Sequence, residues 1–234
     1  MYGWVPRVVS LVSMVYTLIT THLLMALQQE VADIFQDAAG NIWITTLGDG
    51  LYILEKQFLF TTDTATVTHL KGSALSDRVF SGFESRDGDI YLLTDVGVKL
   101  YHGPGEITNY LPEGLTTYWQ ITCMLEDSMG DQCFETHNGG LYRRHHDYGS
   151  FTVYVSRDGL AHNFVSTLIE DKDGAIWAGT WGGGVTRFTD STTTTFHKGN
   201  GLQDERIHAL YQDREGNMLM GTNDHGLVLY KGDA

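Results

Sequence analysis

The sequence predicts an all-β protein, a β-propeller of about five four-stranded blades, and three observations carry that prediction. The first is composition: among 234 residues, 27 are Gly and only 3 Pro, 42% are hydrophobic and 19% charged. Such a chain buries a sizeable core, which excludes wholesale disorder, and it turns often. The second is an internal repeat. The turn signal D-x-x-G stands at Asp37/Gly40, Asp127/Gly130, Asp171/Gly174 and Asp213/Gly216, with Ser85/Gly88 in the same slot, so its glycines are 48, 42, 44 and 42 residues apart. The third is the lack of any sustained helical period between those turns, where apolar runs of four to seven residues alternate instead. Four short antiparallel strands per period of this length match one propeller blade.

At the N-terminus, residues 8 to 26 form one apolar run of 19 residues, preceded by Arg7 and followed by the polar Gln28-Gln29-Glu30. One reading takes residues 1 to 26 as a signal peptide or membrane anchor. The other takes the β-branched stretch around Tyr16-Thr17-Leu18-Ile19-Thr20-Thr21 as a buried strand, with residues 16 to 22 closing the last blade. Both stand at this point.

From residue 27 the repeats run at about 27–74, 75–114, 115–159, 160–201 and 202–234. Strand a is typified by Val165-Ser-Thr-Leu-Ile-Glu170 and turns at D-x-x-G, where Asp caps the turn and Gly takes positive φ. Strand b follows, as in Ala175-Ile-Trp-Ala-Gly-Thr180, and ends on a threonine six residues after the turn glycine: Thr46, Thr94, Thr136, Thr180 and Thr222. A second glycine, at Gly50, Gly97, Gly140, Gly184 and Gly226, opens strand c, and an aromatic strand d such as Phe151-Thr-Val-Tyr154 leads on. Between repeats a leucine precedes the next strand a, as in Leu75…Val79, Leu115…Ile121, Leu160…Val165 and Leu202…Ile207. The fifth repeat ends after strand c at Tyr230, which gives 19 strands, one short of a closed five-bladed ring. An incomplete propeller, or one that needs a partner propeller to cover its edges, is the competing expectation.

The segment Asp171-Lys-Asp-Gly-Ala-Ile-Trp-Ala-Gly-Thr-Trp-Gly-Gly-Gly-Val185 closely resembles the two-component regulator propeller repeat, with Asp37-Ala-Ala-Gly-Asn-Ile-Trp-Ile-Thr-Thr46 and Asp213-Arg-Glu-Gly-Asn-Met-Leu-Met-Gly-Thr222 as further copies. The resemblance spans roughly residues 27 to 231; Ser85 and Tyr91, Gln132-Cys133, and Leu219 depart from the pattern. It implies an extracytoplasmic sensor region of the kind found in bacterial hybrid histidine kinases and some diguanylate cyclases, here without the output domain. A periplasmic or membrane-anchored location, a ligand, and a histidine kinase, diguanylate cyclase or second propeller as partner follow as expectations of that resemblance.

The formal net charge of −14, with no Lys/Arg cluster, gives no support to nucleic-acid binding. Cys123 and Cys133 are too few for a disulfide framework or a four-thiolate metal site and read as free, buried thiols. His145-His146-Asp147 reads as a solvated turn, and Asp171-Lys-Asp-Gly lacks the bidentate Glu of a calcium loop. No cofactor or metal is expected. In a propeller the b-to-c and d-to-a connections share one face, which places the candidate ligand contacts there: Asp49, His137, Asn138, Trp181, Asn223 and Asp224 from the first set, Arg78, Tyr118, Trp119, His162 and Arg206 from the second. Aromatic rings beside carboxylates, amides and guanidinium groups suit a saccharide, whose ring faces stack and whose hydroxyls need donors and acceptors. A propeller glycosidase or lyase, and a scaffold that binds no ligand, are the alternatives; no paired carboxylates recur on that face in a catalytic arrangement.

Overall fold

The computed structural model describes residues 30–56, 67–103, 105–110, 121–147 and 149–232. The N-terminal run 8–26, with its two readings, and the candidates Tyr118 and Trp119 lie outside the described residues. Nineteen described strands form five antiparallel sheets, each an up-and-down meander. The first holds β1 (Val31–Gln36), β2 (Ile42–Thr46), β3 (Leu51–Leu54) and β4 (Val67–Leu70); the second β5 (Val79–Glu84), β6 (Ile90–Thr94), β7 (Gly97–Gly103) and β8 (Glu106–Asn109). The third holds β9 (Ile121–Glu126), β10 (Gln132–Thr136), β11 (Gly140–Arg144) and β12 (Phe151–Tyr154); the fourth β13 (Val165–Glu170), β14 (Ile176–Thr180), β15 (Val185–Phe188) and β16 (Thr193–Phe196). The last has three strands, β17 (Ile207–Gln212), β18 (Met218–Thr222) and β19 (Leu227–Tyr230). The all-β propeller expected from the repeat is the fold observed.

Each recurring position of the repeat has one physical job. The turn Asp or Ser accepts the N–H of the residue after the glycine, in Asn41 to Asp37 (2.7 Å), Asp89 to Ser85 (3.0 Å), Asp131 to Asp127 (2.9 Å), Ala175 to Asp171 (2.9 Å) and Asn217 to Asp213 (2.8 Å). The strand-b threonine donates its hydroxyl to the carbonyl of the second glycine in all five sheets: Thr46 to Gly50, Thr94 to Gly97, Thr136 to Gly140, Thr180 to Gly184 and Thr222 to Gly226. These threonines are buried, so the bond satisfies a hydroxyl that would otherwise be stranded in the core. The tryptophans of the best repeats donate from the indole to the turn carboxylate, Trp43 to Asp37 and Trp177 to Asp171, both at 2.8 Å. Where Cys133 replaces the tryptophan, Arg143 takes that carboxylate instead, 2.7 Å from Asp127 and 2.9 Å from Asp131.

Successive sheets stack face to face, β1 beside β5, β5 beside β9, β9 beside β13 and β13 beside β17. Apolar layers fill each interface: Trp43, Leu51 and Ile53 meet Val79, Ile90 and Leu92 between the first two blades, and Trp177 and Val185 meet Ile207, Met218 and Met220 between the last two. Leu75, Leu160 and Leu202, three of the inter-repeat leucines, are buried in those layers.

A second tie between blades leaves a mark in the sequence that the repeat pattern above does not include. The residue before each turn Asp or Ser is Glu or Gln, and from the second blade on its side chain reaches back to the turn of the preceding blade. Glu84 accepts the Ala38 N–H (2.6 Å), Glu126 that of Arg86 (3.2 Å), Glu170 that of Ser128 (2.8 Å), and Gln212 that of Lys172 (2.7 Å). The repeat is therefore better written as Glu or Gln, then Asp or Ser, two further residues and Gly. Among the described residues no contact of comparable extent joins the fifth blade back to the first, so the blades form an open arc.

Cys123 and Cys133 are free thiols as expected, but only Cys133 is buried and Cys123 is half-buried. They lie on the paired strands β9 and β10, but Cys133 stands opposite Leu125, not Cys123. Burial pushes both thiols up to about 12.

Candidate functional site

The backbone itself shows which connections share a face. The N–H of Gly50 in the β2–β3 turn donates to Asp77 at the entry to β5, Gly140 to Asn163 before β13, and Gly184 to Glu205 before β17. Turns b-to-c and loops d-to-a thus sit at one end of the blades, opposite the D-x-x-G turns.

On that end the third, fourth and fifth blades assemble an aromatic shelf. Trp181 leaves β14 with its N–H bonded to Phe164 O (2.9 Å) and pairs in an isolated bridge with Arg206, which fixes the β14–β15 turn between two entry loops. Its indole stands edge-on to the His208 ring (centroids 4.5 Å apart) and inclined to Phe164 (6.3 Å), and Phe164 in turn stacks on His137 (4.2 Å). Trp181 is 37% exposed, so one side of a large apolar ring faces solvent. Beside it lies a polar cluster. Asn223 accepts from His208 Nε2 (2.8 Å) and donates to Asp224 (2.6 Å), and Arg206 is ion-paired with Asp224. Buried Asp204 supports the group by accepting the Arg206 N–H (3.1 Å) and the Asp224 N–H (2.8 Å). Burial raises the cost of charging Asp204, but the Arg206 N–H, His225 and the Arg206 charge outweigh it and hold its carboxyl below the ordinary value. Burial lowers the pKa of His137, so that ring is neutral at pH 7.

The structure thus brings Trp181, His137, Asn223, Asp224 and Arg206 together, and His162 adjoins them through its Nδ1, which accepts the Phe164 N–H (3.0 Å). Asn138, exposed with φ 72°, is at the tip of the neighbouring turn. Asp49 and Arg78 belong to a different part of the arc. Asp49 is engaged by its own blade, accepting from the Tyr52 hydroxyl and from Lys71 (3.1 Å), which holds its carboxyl low while burial and that carboxylate push Tyr52 up to about 12. Arg78 lies over the Phe80 ring at 5.9 Å.

Phe164 and His208 are the members that sequence reading missed. Phe164 directly follows the predicted His162-Asn163. His208 escapes because strand alternation does not place it: the inner strand is bulged between Ile207 and Ala209, as it is between Val165 and Thr167 and at the matching points of β1 and β5. The bulge turns the second residue of strand a toward the loop end. His145, on the opposite end, bonds Asp131 (2.9 Å) of the β9–β10 turn and Thr152 (2.8 Å) of β12, both within its own blade.

The strands form an arc of propeller blades, and its loop end carries a half-exposed aromatic shelf beside a polar cluster. Two segments, residues 159–182 and 201–224, match the family described as two component regulator propeller, which agrees with the resemblance read from the repeat. No curated protein matches the chain in sequence. Among solved structures, the extracellular domain of a putative hybrid two component system from B. thetaiotaomicron is 20% identical with a TM-score of 0.68, over 87% of this chain and 28% of that one. The extracellular domain of a second such system from the same organism is 15% identical with a TM-score of 0.70, over 88% of this chain and 30% of that one. Virginiamycin B lyase from Staphylococcus aureus is 17% identical with a TM-score of 0.63, over 87% of this chain and 70% of the lyase. The chain therefore spans less than a third of these two extracellular domains. No helix among the described residues is long and apolar enough to cross a membrane.

Proposed function

We propose that this propeller arc is the ligand-sensing part of an extracytoplasmic two-component-type signalling system, that its loop-end shelf binds a saccharide or another small polar ligand, and that the signal passes to a histidine kinase or diguanylate cyclase partner. One observation carries the ligand reading: a partly exposed indole, Trp181, lies beside a paired guanidinium, carboxylate and amide in Arg206, Asp224 and Asn223. A sugar ring stacks on such an indole while its hydroxyls exchange hydrogen bonds with the polar cluster. The family repeats and the likeness in fold to hybrid-system extracellular domains support the sensor reading. Non-catalytic recognition suits the site, because Asp224 is engaged by Arg206 and Asp204 is kept ionised by the donors around it, which leaves neither carboxylate set up as a proton donor at neutral pH.

Calorimetric titration with a panel of defined oligosaccharides tests the proposal. At least one member is expected to bind, and Trp181→Ala is expected to weaken it by roughly tenfold or more, the value of one aromatic stacking contact plus its buried area. A panel without binders, or a binding profile that Trp181→Ala leaves unchanged, overturns the saccharide assignment.

A further inference from the structure

Between the first two blades, at the end that carries the D-x-x-G turns, lies a cleft of about 580 Å³. That is room for a small molecule. Its walls include Asp37, Trp43, Ile53, Glu55, Glu84 and Tyr101. The Trp43 indole meets the Tyr101 ring edge-on with centroids 5.0 Å apart, so the cleft combines aromatic walls with three carboxylates. Burial, and after it the Glu55 charge, push the Tyr101 hydroxyl up from its ordinary value, which puts the phenol within the field of that carboxylate.

The junction of the fourth and fifth blades has the same frame and shows which group it holds. Asp171, Trp177 and Tyr230 take the places of Asp37, Trp43 and Tyr101: each carboxylate accepts its indole N–H at 2.8 Å, and each tryptophan meets its tyrosine across the junction. Register gives the difference. Trp177 pairs with Arg187 on strand c, and Trp43 with Ile53. Arg187 donates to Asp171 (3.0 Å) with its guanidinium over the Trp177 ring at 5.6 Å. At the end of the next inner strand the neutral Gln212 reaches the fourth turn, whereas Glu84 brings a charge to the first. Glu55, two residues after Ile53, stands where Thr189 follows Arg187. The first junction therefore lacks a guanidinium and has two more carboxylates than the fourth. The described partners of Asp37 and Glu84 are uncharged: the Asn41 and Ala38 N–H groups, the Asn41 amide and the Trp43 indole. Lys56 lays its stem along Gly40, and residues 57–66, which join β3 to β4, include no Lys or Arg.

We infer that this cleft is a second ligand site and that it takes a guanidinium group, on a free arginine-like compound or on an arginine of a peptide. The group lies against the Trp43 wall as Arg187 lies over Trp177, and its planar fork pairs with the Asp37 and Glu84 carboxylates. A simple ammonium fits less well, because it is a strongly hydrated point charge without that fork. The net charge of −14 draws cations toward the protein from a distance. The cleft is at the opposite end of the blades from the shelf, so the inference is independent of the saccharide proposed above.

Calorimetric titration of the full chain tests it with three probes: agmatine, the blocked peptide acetyl-Gly-Arg-Gly-amide, and the same peptide with citrulline, a neutral isostere, in place of arginine. Agmatine or the arginine peptide is expected to bind, and the citrulline peptide is not. Ile53→Arg supplies the guanidinium from strand c, as the fourth blade does, and is expected to abolish binding. Should that variant fail to fold, Glu84→Gln still decides. It keeps an acceptor for the Ala38 N–H, as Gln212 does for Lys172, so it is expected to melt with the parent and to bind roughly tenfold more weakly. Trp181→Ala, at the other end of the blades, is expected to leave the affinity unchanged. Binding of agmatine alone assigns a free compound and binding of the peptide alone a guanidinium borne on a chain; either supports the site. No binding of either probe, equal binding of the citrulline peptide, or an affinity that Glu84→Gln leaves intact overturns the inference, and a loss on Trp181→Ala overturns it by moving the cation to the shelf.

Discussion

In the fourth blade a single carboxylate, Asp171, holds the turn, the tryptophan and the strand-c arginine together. It accepts from the Trp177 indole (2.8 Å), the Ala175 N–H (2.9 Å) and Arg187 (3.0 Å). Burial raises the cost of its charge, but these donors more than offset it and hold its carboxyl below the ordinary value; Asp131 behaves likewise through His146, His145 and Arg143. A carboxylate whose folded pKa is depressed lends stability that is fully present above its unfolded pKa, near 4, and is lost as pH falls through the folded value. The denaturation midpoint is accordingly expected to fall below about pH 4, and Asp171→Asn should flatten that dependence while costing about 2 kcal/mol at pH 7. A pH series of urea melts checks both. The strand-b threonine is the second fixed point. Thr180→Val keeps the shape and removes the bond to Gly184, so a loss of about 1 kcal/mol is expected in the same melts, with Thr180→Ser recovering part of it.

Between elements, stacking depends on the apolar layers and on the reach of strand a back to the preceding turn. Glu170 receives the Ser128 N–H and its hydroxyl across the junction of the third and fourth blades. The same junction buries Cys133 with Leu141, Leu160 and Val165, and that thiol reports on opening. Glu170→Ala is expected to speed labelling of Cys133 by a thiol reagent several-fold, for a loss of about 1 kcal/mol, and Glu170→Gln to restore the parent rate, since Gln212 serves the next junction. Equal labelling in all three proteins would remove the tie from the list of what holds blades together. The acidic or amide residue before each turn was legible in the sequence as one more recurring position, yet its meaning was not, because strand periodicity says nothing about which turn of which blade a side chain at the strand end can reach.

For the whole molecule, the open arc makes the fifth blade unlike the others, and two glycines measure the difference. Gly184→Ala meets both a left-handed backbone, φ 92°, and the Phe196 carbonyl, whereas Gly226→Ala meets only the former, φ 68°. The first should cost several kcal/mol and the second about 1 to 2, read from urea melts of the two variants. Equal losses would show that β19 is covered in solution.

Sequence alone determined the blade. Spacing of D-x-x-G, threonine and glycine set the strands, because each of those residues closes a local hydrogen bond within a few positions of itself, and local bonds leave a periodic mark. It also identified most of the shelf, since Trp181, Arg206, Asn223 and Asp224 fall in turns whose end of the blade follows from strand order. Only the tertiary structure decided which candidates meet. It set Asp49 and Arg78 apart from Trp181, supplied Phe164 and used a bulge to bring in His208. It also decided that the blades curve as an arc whose last apolar face no described strand covers. Curvature arises from the packing of whole sheets on one another, and no residue in any one repeat encodes how many sheets the turn of the ring requires.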